Sequence, residues 1–299
     1  MHFIFQIFQR QTMVIAACLL TLGACSPAAK EPVSNTPDAT QVTSATSAKV
    51  DPAELQQSID QYKTYVIQET DQLAEKTKLF TDAVIAGDIE KAKAAYAPAR
   101  VHWERSEPIA ELFADLDASM DAREDDFAQK ADDPAFTGFH RLEKALFKDN
   151  STAGMKPIAE GLMKDTLTLQ ERIAELTIEP KDMIGGAAAL IEEVAATKVT
   201  GEEDRYSRTD LWDFNANLEG SEKIVQLLQP LLEKHDPELH GKIDQNFDEI
   251  KQVLVAYKAP SGGFVSYEEV SESDRQKLKP MLASHAEDLS QLRGVLGVE

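Results

Sequence analysis

Cysteine, glycine and aromatic side chains are scarce in this chain. Its 299 residues include two cysteines, 14 glycines and 7% aromatics. So little glycine and aromatic content argues against a β-sandwich or barrel and favours helices. Basic residues are also few: 31 Lys and Arg stand against 52 Asp and Glu, a net charge of −21. That balance repels phosphate backbones and anionic membrane surfaces, so nucleic-acid binding is the first function to discard. Cations are the natural partners of so many carboxylates, although a solvated acidic surface would account for the excess equally well. The 42% apolar fraction suits a globular core, and the length suits one or two domains of about 100–200 residues.

Long apolar runs are missing except at residues 13–22 (MVIAACLLTL), after Arg10. A run of that length fits a signal-peptide core of ~7–15 residues and is too short for a membrane-spanning helix of ~20. It ends in Leu22-Gly23-Ala24-Cys25, which resembles the bacterial lipobox. The expectation is a lipoprotein signal peptide over residues 1–24 and a mature chain that begins with lipidated Cys25. Cysteine-based metal sites, nucleophiles and disulfides then drop out together. Residues 25–50 are small, polar and proline-containing, as in a flexible tether holding an exported protein to a membrane, in the periplasm or at the cell surface.

From Asp51 onward the apolar residues keep helical spacing. Leu55, Ile59, Tyr62, Val66, Leu73, Phe80 and Val84 recur at three, four or seven residues up to Gly87. Asp51-Pro52, Asp88, Asp133-Pro134 and Asp236-Pro237 read as helix starts. Further helices are expected at about 88–109 (kinked at Pro98 and Pro108), 134–148, 155–177, 181–197, 210–234, 237–258 and 272–296. About eight helices make an all-α protein, expected as two four-helix bundles packed together with a cleft between them. The halves would cover about 51–178 and 179–299, divided near Glu179-Pro180.

Three segments could carry chemistry. In Gly138-Phe139-His140-Arg141-Leu142-Glu143, His140 and Glu143 share a helix face and could reach one cation, although such a pair is also a common surface hydrogen bond. In the run 101–108 (VHWERSEP), Glu104 and Glu107 share a face, either as ligands or as solvated acids beside Arg100 and Arg105. His102 lies about 200° round from Glu104 and should not join them. Di-iron bundle sites use a Glu-x-x-His from each of two helices; one comparable His here suggests a mononuclear or asymmetric site. The segment 201–214 mixes acids, arginines and aromatics as binding loops do, and Asp204, Arg205 and Tyr206 are its expected cleft-lining residues.

Taken in order, the lipobox, V-H-W-E-R-x-E-P, D-A-R-E-D-D, G-F-H-R-x-E-K-A-L and E-E-D-R-Y-S-x-T-D-L-W-D-F resemble the imelysin-like family, in particular its EfeO/EfeM-type periplasmic iron-uptake proteins. The resemblance runs over roughly residues 52–297. It implies two four-helix bundles with a metal site beside a G-x-H-x-x-E signature, matched by Gly138, His140 and Glu143. By position it also implies Glu104, Glu107 and Asp121 as ligands alongside His140 and Glu143. Longer EfeO-type members often add an N-terminal cupredoxin domain; the short tether implies the single-module form, without a copper-dependent oxidation step.

The implied function is capture of ferrous or ferric iron and delivery to a membrane permease, with a haem peroxidase as a further partner of the same system. Zn²⁺, Mn²⁺ or Cu²⁺ could also suit such a His/carboxylate site. Binding that needs a neutral imidazole would fade as the pH falls through ~6.5. Two other functions compete. Imelysin-like proteins have been classed with peptidases, but H-E-x-x-H is absent and His140-Arg141-Leu142-Glu143 is followed by Lys144, so a non-enzyme is expected. A metal-bridged binder of anionic polysaccharide is the third.

Overall fold

A computed structural model of the chain describes residues 50–298. The signal peptide, Cys25 and all but the end of the tether lie outside the described residues. The protein is all-α: among the described residues the sole β pairing is an isolated bridge between Lys258 and Phe264.

The helix starts follow local chemistry. Asp51 accepts from the Ala53 amide at 2.8 Å with Pro52 at the first helical position, opening α1 (Pro52–Ala86). Asp88 caps α2 (Ile89–Ala110) by accepting from the Lys91 amide. Helix α2 runs through both Pro98 and Pro108. Proline has no N–H, so Pro108 leaves the Glu104 carbonyl without its helical donor. The Asn217 side chain supplies one at 3.0 Å.

The acidic stretch after α2 departs from expectation. It contains a short helix, α3 (Ala114–Met120), that apolar spacing did not announce. Asp133-Pro134 closes a turn instead of opening a helix: Asp133 accepts from Ala135 and the Phe136 amide returns to the Asp133 carbonyl. The next helix, α4 (Gly138–Glu143), starts four residues later and widens into a π turn at Lys144–Lys148. Then come α5 (Lys156–Glu175), α6 (Pro180–Ala196), α7 (Asp210–His235), α8 (Pro237–Val255), α9 (Glu272–Ser290) and a final turn, α10 (Leu292–Val295).

Helix α1 packs along α2 and α5, and α4 touches both α2 and α5. Helices α6, α7, α8 and α9 pack in a ring, each on the next and α9 back on α6. The two groups meet where α2 lies on α7 and α6. Gly220 makes that approach possible: a Cβ there would sit 2.8 Å from the Arg105 carbonyl oxygen. One apolar core runs through both groups, from Phe80, Tyr96 and Phe139 to Leu228, Phe247 and Leu282.

His285 on α9 is buried edge-on against Phe247, ring centroids 4.2 Å apart, and neither ring nitrogen has a hydrogen-bond partner. Burial pushes it down to about 4, against a small opposing effect of Asp288. The folded state therefore holds the neutral ring while the unfolded chain takes a proton near 6.5. Its contribution to stability is present above that value and disappears as the pH falls towards 4. Between pH 7 and pH 5 the loss is about 2 kcal/mol. Urea unfolding at the two pH values should show that loss in the parent and a smaller one in His285→Leu.

Candidate metal centre

Two backbone features bring the central residues together. Gly138 has φ +72°, and a Cβ on it would lie 2.1 Å from the Met120 carbonyl oxygen. Only glycine lets α4 begin against the end of α3, which places His140 opposite Asp121. Thr137 Oγ1 ties the same junction by donating to the Ser119 carbonyl at 2.8 Å. The π turn follows directly after Glu143, a distortion that recurs at functional sites.

His140 is 2% exposed, and its two nitrogens face different neighbours. Nδ1 lies 3.1 Å from Glu143 Oε2 and 3.5 Å from the Tyr96 hydroxyl. Nε2 has no hydrogen-bond partner and lies 3.6 Å from Asp121 Oδ1 and 3.7 Å from Glu203 Oε1. Ligand atoms of Asp121, His140 and Glu203 fall within 4.8 Å of one another. So do those of His140, Glu143 and Asp204, and those of Glu104, Glu203 and Asp213.

Glu143 and Asp204 are already well supplied with donors. Glu143 Oε1 accepts from the Tyr206 and Ser207 amides, both at 2.8 Å, and from Ser207 Oγ at 3.0 Å. Asp204 accepts from Tyr96 at 2.8 Å and Thr209 at 2.5 Å. Asp121 and Glu203 instead meet fixed cations. Arg100, fully buried on α2, donates to Asp121 and Glu104, to Glu203 at 3.3 Å and to Asp213 at 2.9 Å. Arg123 donates to the other oxygen of Glu203 at 2.6 Å.

Charge follows from these neighbours. Burial raises the Asp121 carboxyl, but Arg100 and His140 outweigh it and hold it below the ordinary range. Glu203 is held well below that range because Lys198, His140 and Arg123 outweigh its burial. Burial pushes Glu104, Glu107 and Asp213 up. The acids facing His140 Nε2 are thus the ionised ones. For His140, burial and Arg100 work downward, but Glu143, Glu203 and Asp121 prevail and raise it to about 10. This corrects the ~6.5 expected from an isolated imidazole: the ring carries a proton at neutral pH.

Glu104 and Glu107 are not solvated acids: both are buried. Asn217 Nδ2 donates to Glu104 at 3.1 Å and Glu107 at 2.6 Å, and buried Lys198 lies 3.0 Å and 3.5 Å from them. Glu107 groups with Glu111 and Glu193, not with His140. His102 points elsewhere, with Nδ1 2.7 Å from Glu69. Arg205 bridges two loops through Glu124, Asp125 and Glu202. With Tyr206, Arg123 and Phe136 it lines a space of about 10 Å³ that His140, Glu143 and Glu203 also border, about the size of one water. Asp204 is fully buried and does not line that space.

Sequence reasoning passed over Glu203, Asp213 and Lys198, and it placed Arg100 only beside solvated acids. The i,i+4 spacing of Arg100 and Glu104 was a usable signal for the first ion pair. Glu203 sits beside the chosen Asp204, but a loop has no period that ranks its neighbours.

Comparison with known proteins identifies the family of the chain. Residues 58–292 match the Peptidase_M75 family, imelysin. The iron uptake system components EfeO of Escherichia coli (strain K12) and of Shigella flexneri are each 60% identical to this chain over 242 residues, 81% of its length. The chain spans 64% of the length of these relatives. The crystal structure of an iron-regulated protein A precursor from Parabacteroides distasonis superposes with a TM-score of 0.57 at 17% identity, covering 84% of this chain and 95% of that one. At that identity the likeness speaks for the fold alone. With a family match over most of its residues and relatives this similar, the chain belongs to the imelysin family.

Proposed function

We propose that this chain is the extracytoplasmic metal-binding component of an iron-uptake system. It captures ferrous or ferric iron at His140 Nε2, Asp121 and Glu203 and delivers it to a membrane permease. The observation that carries this reading is the buried, unpartnered Nε2 of His140, aimed at two ionised carboxylate oxygens. One nitrogen and hard oxygens suit iron, with Zn²⁺ and Cu²⁺ as competitors. Cys25 lipidation would hold the protein at the membrane beside the permease, and a haem peroxidase could share the system. The uptake naming of relatives that match 81% of this chain supports the same reading. Anaerobic calorimetric titration with Fe²⁺, Fe³⁺, Zn²⁺ and Cu²⁺ tests it. About one ion per chain at micromolar affinity or better is expected, and no uptake of any of the four would refute it.

In this reading Glu143 stands behind His140 as its orienting carboxylate, the usual partner of a metal-binding imidazole. Glu143→Gln would keep an acceptor for Tyr206 and Ser207 but turn an amide N–H₂ towards Nδ1. That reverses the tautomer and places a proton on Nε2. Affinity should drop by about 10–100-fold with the fold intact, the usual effect of altering the group that orients a metal-binding imidazole. Parent-like affinity would show that Nδ1 plays no orienting part.

The peptidase reading is weakened by the same hydrogen bonds. A hydrolytic zinc site needs a general base beside the bound water. Glu143 is the natural candidate, yet one of its oxygens takes three donors and the other faces Nδ1.

A further inference from the structure

Asp121 Oδ1 and Glu203 Oε1, the two oxygens nearest His140 Nε2, are also the atoms on which Arg100 closes. Arg100 Nη1 donates to the first and Nη2 to the second. An ion bound by these oxygens and by Nε2 at ~2.0–2.3 Å would sit directly against the guanidinium. Arginine cannot relieve that conflict by losing its proton, as a lysine or histidine could. It does have somewhere to retreat. Nε donates to Asp213 at 2.9 Å and lies 3.6 Å from Asp204, Nη2 also donates to Glu104, and the Phe139 ring lies 5.5 Å from Cζ. Those contacts reach Nε, Nη2 and the guanidinium face, so the guanidinium can give up Asp121 and Glu203 without losing every partner.

We propose that Arg100 sets the affinity of the cation site: it is a built-in cation that holds the ligand oxygens of Asp121 and Glu203 and must yield them to the incoming ion. The inference rests on the reading of His140, Asp121 and Glu203 as a metal site. It gives that site a property a transport protein needs. Without Arg100 the five acids it meets, four of them buried, would lose a shared counter-charge and close more tightly on any cation. With Arg100 present the carboxylates stay assembled, and each bound ion feels a neighbouring positive charge that favours release. Arg100 is then a tuning residue, distinct from a ligand.

The test compares the parent, Arg100→Gln and Arg100→Lys. Each is titrated anaerobically with Fe²⁺ and separately with Zn²⁺, and ion release into excess chelator is timed by stopped flow. Arg100→Gln should bind at least about tenfold tighter and release correspondingly more slowly, since one positive charge next to the ion has gone. Arg100→Lys keeps the charge, but a single ammonium cannot grip both carboxylates as the fork does. It should fall between the other two. A folded Arg100→Gln protein that binds no tighter than the parent overturns the proposal and makes Arg100 a structural brace. If Arg100→Gln does not fold, Arg100→Lys decides: slower release than the parent supports the proposal, and equal or faster release overturns it. A parent that binds neither metal removes the site and this role together.

Discussion

Iron binding should fall by more than ~100-fold when His140 is replaced by alanine, with helicity unchanged. The expected loss exceeds the ~10–100-fold typical of altering a group that only orients a ligand, because Nε2 is the nitrogen donor itself. Among the described residues no other imidazole groups with acids that could hold a metal: His102 is bonded to Glu69, and His285 is sealed against Phe247. Without the ring, Asp121 and Glu203 remain, held by Arg100 and Arg123 in a site that would favour Ca²⁺ or Mg²⁺ no less than iron. Asp121→Ala should weaken binding too, and His102→Ala should leave it at the parent value. Calorimetry in buffers of different ionisation enthalpy adds a second signature. Because His140 is raised to about 10, binding at pH 7 must expel its proton. Affinity should therefore rise with pH through the neutral range, where an unshifted imidazole would already have levelled off. His140→Ala should lose the proton release along with the binding. The site is misplaced if His140→Ala binds Fe²⁺ or Fe³⁺ as the parent does while His102→Ala does not.

Lys198→Met is expected to cost about 3–5 kcal/mol of folding stability at neutral pH, as breaking one side of a buried ion pair commonly does. Lys198 is fully buried, and its ammonium lies 3.0 Å from Glu104, 3.5 Å from Glu107 and 3.2 Å from Glu193. Burial works against its charge, but these three acids outweigh burial and raise it well above the ordinary lysine value. Methionine keeps the apolar stem in place, so the loss is electrostatic and not a cavity. Glu104 and Glu107, already raised by burial, rise further once the ammonium is gone. A carboxyl raised in the folded state gives stability that is present below its unfolded value near ~4.3 and lost as the pH climbs through the folded one. The deficit of Lys198→Met should accordingly grow from pH 5 to pH 8. Adding Glu107→Gln should return part of it, a coupling that a double-mutant cycle in urea measures directly. A deficit that stays flat with pH and is unmoved by Glu107→Gln would count against this charge network.

The sequence by itself determined the all-α class and most helix limits. Those depend on short-range physics: apolar residues at three and four, an Asp-Pro cap at Asp51-Pro52 and again at Asp236-Pro237, and the left-handed Gly87 that ends α1. Where local signals competed, it misled. Asp133-Pro134 serves a turn as readily as a helix start, and α3 is too short to show a period. For the site, spacing singled out His140 with Glu143 and Glu104 with Glu107, since residues three apart share a helix face, while Asp121 came only from the family resemblance. The sequence could not show which imidazole nitrogen faces which acid. That is decided by residues 206 and 207, whose amides hold Glu143 from more than sixty positions away. Nor could it show that Asp121 and Glu203 converge on Arg100, or that Lys198 stands between Glu104 and Glu107. Charge alone does not say which acids are buried together. Only the packing of α2 on α7, with the 201–209 loop folded over α4, brings those side chains within a few ångströms, where desolvation makes each charge depend on the others.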